Sequence, residues 1–125
     1  MLVYRIHKQD DIKVGPYHGS AIFVPEISRR IPPRPNPKED GIDSFMPSFH
    51  FCGFSSIESL LSWFSAWVLR ELFRMDYCVS ILEVPDDLVK VGKNQVVFPL
   101  ESCNYVKGIQ CTSKIQEMFS NGSAT

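Results

Sequence analysis

Between Pro25 and Pro47 the chain reads "PEISRRIPPRPNPKEDGIDSFMP", which concentrates six of its nine prolines in one segment. Each proline lacks a backbone N–H, and each biases the residue before it away from the helical region. A long helix or a central strand therefore cannot run through this segment, and the regular elements must be built on either side of it. The expectation is a long extended loop over Pro25–Pro47. Loops of that length inside compact domains are usually functional or disordered, which makes the segment a place to look for a site. It also holds the one concentrated group of cations, Arg29, Arg30, Arg34 and Lys38.

On the N-terminal side, "LVYRIH" alternates with period two, so Leu2, Tyr4 and Ile6 share one face of a strand while Val3, Arg5 and His7 share the other. "KQDDIKVGPYHG" reads as a polar loop closing on Gly15-Pro16, and "SAIFV" as a second short strand. On the C-terminal side, "FHFCGFSSIESLLSWF" runs from a strand through Gly53 into a helix. Ser55-x-x-Glu58 fits a capping box that starts the helix. Ile57, Leu60, Leu61, Phe64, Val68 and Leu72 then recur at helical spacing, and Trp63 and Trp67 widen the apolar stripe. This spacing predicts one central helix from Ser55 to Arg74. "YCVSILEV", "LVKV", "QVVFPL" and "CNYVKGI" read as strands, with "PDD" and "GKN" as turns. "TSKIQEMF" reads as a short C-terminal helix, and residues 121–125 as a flexible tail.

The fold class expected from this pattern is α+β, with a twisted, mainly antiparallel sheet packed on one central helix. At 125 residues and 44% apolar composition, residues 1–125 suffice for a single domain with its own core. The formal net charge of −1 gives no global field favouring nucleic acid or an anionic membrane. The longest apolar run, "LLSWFSAWVL", is about half of what a membrane span needs. The N-terminal "MLVYRIHKQDD" shows no apolar signal core, and Cys52, Cys78, Cys103 and Cys111 form no CxxC pair, so reduced thiols in the cytosol are expected.

Chemistry-bearing motifs are sparse. His7, His18 and His50 form no HxxxH, and His50-x-Cys52 has no second ligand pair nearby, so no metal is expected. No local signature surrounds any cysteine with the partners a nucleophile needs, and no phosphate-binding glycine loop is present. Arg29-x-x-Pro32-x-x-Pro35 matches the basic-plus-proline pattern read by polyproline-binding domains, although such matches arise readily in any proline-rich segment. The same arginines could dock on an acidic partner or on phosphates, because the planar guanidinium fork gives bidentate contacts.

Two resemblances follow from these residues. Arg5 on the first strand, "FCGFSS" leading into a helix, and the late strand "NQVVFPLESCNYVKGI" stand in an order similar to that of ADP-ribosyltransferases. That resemblance implies NAD as cofactor, with Arg5 holding it, Ser55 or Ser56 near the nicotinamide ribose, and Gln95 where the family has a glutamate. The neutral amide could not supply the carboxylate charge that stabilises an oxocarbenium-like transition state. Phe51-Cys52-Gly53-Phe54-Ser55-Ser56 with "LLSWF", followed by "GKNQVVF", also resembles small accessory proteins of bacteriophages. This implies a non-catalytic protein of the host cytosol that binds and blocks a host protein or complex. Arg29, Arg30, Arg34 and Lys38 would be the partner-binding residues, with neighbouring aromatics as anchors. The NAD-dependent transferase is the alternative, and a homodimer through the tryptophan face is a further expectation.

Overall fold

The computed structural model describes residues 1–17, 23–32, 37–42, 44, 46 and 49–110. Strand β1, Leu2–Lys8, pairs antiparallel with β3, Tyr77–Glu83, and β3 pairs antiparallel with β6, Asn104–Ile109, in a sheet of order β1-β3-β6. Because directly opposed residues share a face, Ile6↔Val79 and Lys8↔Tyr77 look one way, and Val3↔Leu82, Arg5↔Ser80 and His7↔Cys78 look the other. The predicted alternation is therefore present, but both faces of β1 are covered. Ile6 and Val79 join the cluster of Ile27, Leu60, Phe64, Val68, Leu72 and Tyr77, while Val3 and Leu82 join Ile12, Val84, Val96 and Phe98. The polar side of the strand is thus a buried side, and Arg5 and His7 go inward with it.

The second cluster is closed by another antiparallel sheet of order β2-β5-β4, built from His50–Gly53, Val96–Pro99 and Lys90–Val91. The α+β, antiparallel class holds, with two three-stranded sheets in place of one. They meet where Tyr4 N–H donates to Phe54 O at 2.7 Å and Phe54 N–H donates to Tyr4 O at 2.8 Å. Gly53 makes this approach possible. A Cβ there would lie 2.5 Å from Val3 Cγ1 and 3.0 Å from Tyr4 O.

The single helix expected over Ser55–Arg74 is two helices, α2 (Ile57–Trp63) and α3 (Ala66–Arg74). Ser65 causes the break. Its hydroxyl accepts from Val68 N–H at 3.2 Å, taking the donor that a continuous helix would give to Phe64 O. The N-cap of α2 is Ser56, which accepts from Ser59 N–H at 3.1 Å, so the cap lies one residue beyond Ser55 and the Ser55–Glu58 capping box gives way to a serine cap with Ser59 at its third position. Two adjacent serines offer nearly the same local chemistry, and the register that buries Leu60 and Phe64 selects the second. Full burial of Leu60, Val68 and Leu72 contributes roughly 1.5–3 kcal/mol each.

The proline-rich segment is not extended throughout. Pro25–Arg30 forms a short helix, α1, for which Pro25 supplies the pre-set φ of a first-turn residue. Glu26 in its first turn and Arg29 and Arg30 in its last suit the helix dipole, and Ile27 and Ile31 are buried beneath it. Residues 37–41 form a turn. Asp40 binds this turn to the connection between β4 and β5, its carboxylate accepting from the backbone N–H groups of Asn94 and Gln95 and from Asn94 Nδ2 at 2.8–3.0 Å. The strand expected at "SAIFV" falls mostly outside the described residues, and Val24 serves as the N-cap of α1. The C-terminal helix and the tail at 121–125 lie wholly outside them.

Candidate functional site

α1 presents the first part of the expected cationic site. Its two buried isoleucines hold one side of the helix against the core, which leaves Arg29 and Arg30 on the exposed side. Arg29 Nε donates to Pro25 O at 3.2 Å, across one helical turn. The Arg30 guanidinium lies 4.2 Å from the ring centroid of Trp67 on α3, a stacking contact that orients the fork while keeping it at the surface. Arg70 and Arg74 follow Trp67 at helical spacing and are exposed, and Arg74 Nη1 pairs with Glu71 at 3.0 Å. Trp63 Nε1 donates to Tyr17 Oη at 2.9 Å, and Tyr17 Oη donates to Pro32 O at 2.6 Å, a relay that fixes the exit of α1 beside α2.

The other two expected partner-binding residues are differently placed. Lys38 is exposed on the turn that Asp40 binds to residues 92–95, so its support is the second sheet and not the helices. Arg34 lies outside the described residues, as does Pro35. Arg29 and Arg30 stand in a helix, so the start of Arg29-x-x-Pro32-x-x-Pro35 does not have the left-handed extended conformation that polyproline recognition requires, and the backbone turns extended only at Ile31, with φ −77° and ψ 133°. The tryptophans expected as an open dimer face are both half-buried and engaged, Trp63 by Tyr17 and Trp67 by Arg30. Nothing in "LLSWFSAWVL" distinguishes Trp67 from the rest of the apolar stripe. Its role as a platform for Arg30 arises only when α1 packs on α3.

Arg5, Ser55 and Gln95, the residues carried over from the transferase resemblance, occupy three different settings. The Arg5 guanidinium donates to the carbonyls of Ile12 at 2.8 Å, Cys52 at 2.7 Å and Lys13 at 3.2 Å, and it lies 5.2 Å from the Phe51 ring centroid. Burial lowers its pKa to about 10, opposed by the nearby Cys52, Asp11 and Cys103, so it is a cation at neutral pH. Its strand register places it opposite Ser80. Ser55 is exposed and precedes the cap. Gln95 is buried, with its N–H held by Asp40.

A serine–histidine pair escaped the sequence reading. His7 Nδ1 lies 2.6 Å from Lys8 O, and His7 Nε2 lies 2.6 Å from Ser80 Oγ. A carbonyl can only accept, so Nδ1 carries the proton and the Ser80 hydroxyl donates to Nε2. Both side chains are 0% exposed, so the pair has the bond of an activated nucleophile without access to a substrate. Burial lowers the His7 pKa to about 4, with the hydrogen bond to Lys8 O opposing the shift. Cys52 and Cys103 are thiols outside any disulfide, and burial pushes Cys103 up to about 11, where it is inert at neutral pH. Cys78 is in a disulfide, which departs from the expectation of wholly reduced thiols.

Among the described residues, no group of three or more His, Cys, Asp or Glu side chains could hold a metal ion, and no helix is long and apolar enough to cross a membrane. No curated protein and no solved structure matches the chain, so the comparisons lend no support to the transferase resemblance. The profile of one phage family matches residues 1–112, nearly the whole chain and all of both sheets, and the resemblance to phage proteins is thereby established at the level of family. The chain belongs to the Bacteriophage T4 Y00F protein family.

Proposed function

We propose that this phage protein is a non-catalytic binding protein that docks on a host macromolecule through the arginine-bearing segment 25–47 and the aromatics beside it. The observation that carries the reading is the Arg30–Trp67 stack, an exposed guanidinium held in one orientation by an aromatic ring. Arginine and tryptophan supply a disproportionate share of interface energy, and a fork that is already oriented loses less entropy on binding. The polar pair best suited to catalysis, His7 and Ser80, is sealed in the core. A binding role needs a surface and no catalytic constellation, and it accords with a small chain acting in the host cytosol.

The test is capture of host proteins on immobilised wild-type protein and on a variant combining Arg29→Ala, Arg30→Ala and Arg34→Ala, with partners identified by mass spectrometry. Loss of a specific partner with a thermal melt within a few degrees of wild type supports the reading. Equal capture by both proteins overturns it.

A further inference from the structure

The face formed by α1 and α3 carries more than the expected cluster. Arg30 lies on the Trp67 ring, Arg70 and Arg74 are exposed three and seven residues after Trp67 on α3, and Arg29 is exposed beside Arg30 on α1. The acidic residues on this face are Glu26 in the first turn of α1 and Glu71, which is already paired with Arg74. A chain of formal net charge −1 thus gathers three arginines without a carboxylate partner among the described ion pairs on one helical face.

We infer that this face receives an acidic segment of a protein partner, its carboxylates gripped by Arg29, Arg30 and Arg70 around Trp67. The inference rests on the binding reading above and names the chemistry of the partner. Two observations favour carboxylates on a protein over a nucleic acid. The helix tryptophans a single strand would stack on are engaged, since Arg30 occupies the Trp67 face and Trp63 is tied to Tyr17, which leaves Phe23 before α1 as the exposed ring of this segment. Glu26 and Glu71 also lie within the patch, where they would oppose a continuous phosphate backbone but can sit between discrete carboxylates. Arginine forks oriented by stacking match the planar, two-oxygen geometry of a carboxylate.

The experiment measures fluorescence anisotropy of a labelled oligoglutamate peptide, and of a labelled oligo-dT of equal charge, against the full chain at low and at physiological salt. The variants are Arg30→Glu with Arg70→Glu, the conservative Arg30→Lys, and the control Lys93→Glu with Lys107→Glu, which changes net charge equally at exposed sites on the sheets. The expected result is peptide binding weakened about tenfold or more by the arginine reversal, and about threefold by Arg30→Lys, from loss of exposed charge pairs and of the fork. The control should stay within about twofold of wild type, because Lys93 stands in the β4–β5 turn and Lys107 on β6, on neither α1 nor α3. Equal loss in the control and the arginine reversal overturns the inference, since binding would then follow net charge alone. Oligo-dT binding as tightly as the peptide, or no peptide binding by the wild type, overturns it as well. In those cases host capture that still depends on Arg29, Arg30 and Arg34 would leave the binding reading standing, whereas capture indifferent to them would remove that reading.

Discussion

Acidification should destabilise this protein through His7 before the general titration of its carboxylates does. The imidazole is 0% exposed, gives its Nδ1 proton to Lys8 O and takes one from Ser80 at Nε2. Protonation would place a second donor against the serine oxygen and a charge in the core. The folded-state pKa of about 4 lies below the ordinary 6.5, so the unfolded chain binds the proton more tightly. Above pH 6.5 both states are neutral and the contribution of His7 to stability is complete. As the pH falls from 6.5 towards 4, stability is lost at up to about 1.4 kcal/mol per pH unit, and below 4 the loss levels off. Over the whole window the loss amounts to about 3 kcal/mol, most of it gone by pH 4.5. That is a large part of the 5–15 kcal/mol typical of a domain. The assay is urea unfolding at intervals from pH 8 to pH 4 on the wild type and on His7→Gln, which cannot titrate. The variant should be less stable at pH 7 but lose about 2–3 kcal/mol less between pH 7 and pH 4.5. Two curves falling in parallel would refute the argument, as would nitrogen chemical shifts showing the proton of His7 on Nε2 at neutral pH.

Three further outcomes are expected. Gly53→Ala should destabilise by roughly 1–3 kcal/mol, because its Cβ would meet Val3 Cγ1 at 2.5 Å and Tyr4 O at 3.0 Å; denaturant midpoints measure this, and an unchanged midpoint would deny the close approach of the two sheets. Asp40→Ala should cost about 2–4 kcal/mol by leaving the N–H groups of Asn94 and Gln95 without their carboxylate, and amide exchange at those two residues should quicken. The Tyr77 hydroxyl is buried and has no hydrogen-bond partner among the described residues, so Tyr77→Phe should be neutral or stabilising by up to about 1 kcal/mol in a thermal melt; a clear loss of stability would reveal a partner for that oxygen.

What could be read from the sequence was whatever neighbours along the chain decide. The period-two pattern of Leu2–His7, the β-branched run before Pro85, the "GKN" turn and the serine-led start of a helix each depend on a few consecutive residues, and each has its counterpart in the structure. The phage resemblance was also legible, because family membership is carried by the order of residues along the chain. The break between α2 and α3 was less so, since Ser65 is as compatible with a helix interior as with a cap until Val68 N–H chooses its hydroxyl over Phe64 O. The choice of Ser56 over Ser55 was likewise settled by which register buries Leu60 and Phe64.

The polar side of β1 shows the limit most clearly. Alternation established that Val3, Arg5 and His7 share a face but not that a second sheet would cover it. Once Gly53 lets β2 close on β1, that face becomes interior, and Arg5 and His7 must find carbonyl and hydroxyl partners there. The candidate surface followed the same rule. The sequence by itself determined that Arg29 and Arg30 are concentrated charge in a proline-rich segment. Only the packing of α1 on α3 decided that Arg30 would lie on Trp67 and that Arg70 would join it, because side chains about forty residues apart meet through burial of Ile27 and Ile31 and not through any pattern along the chain.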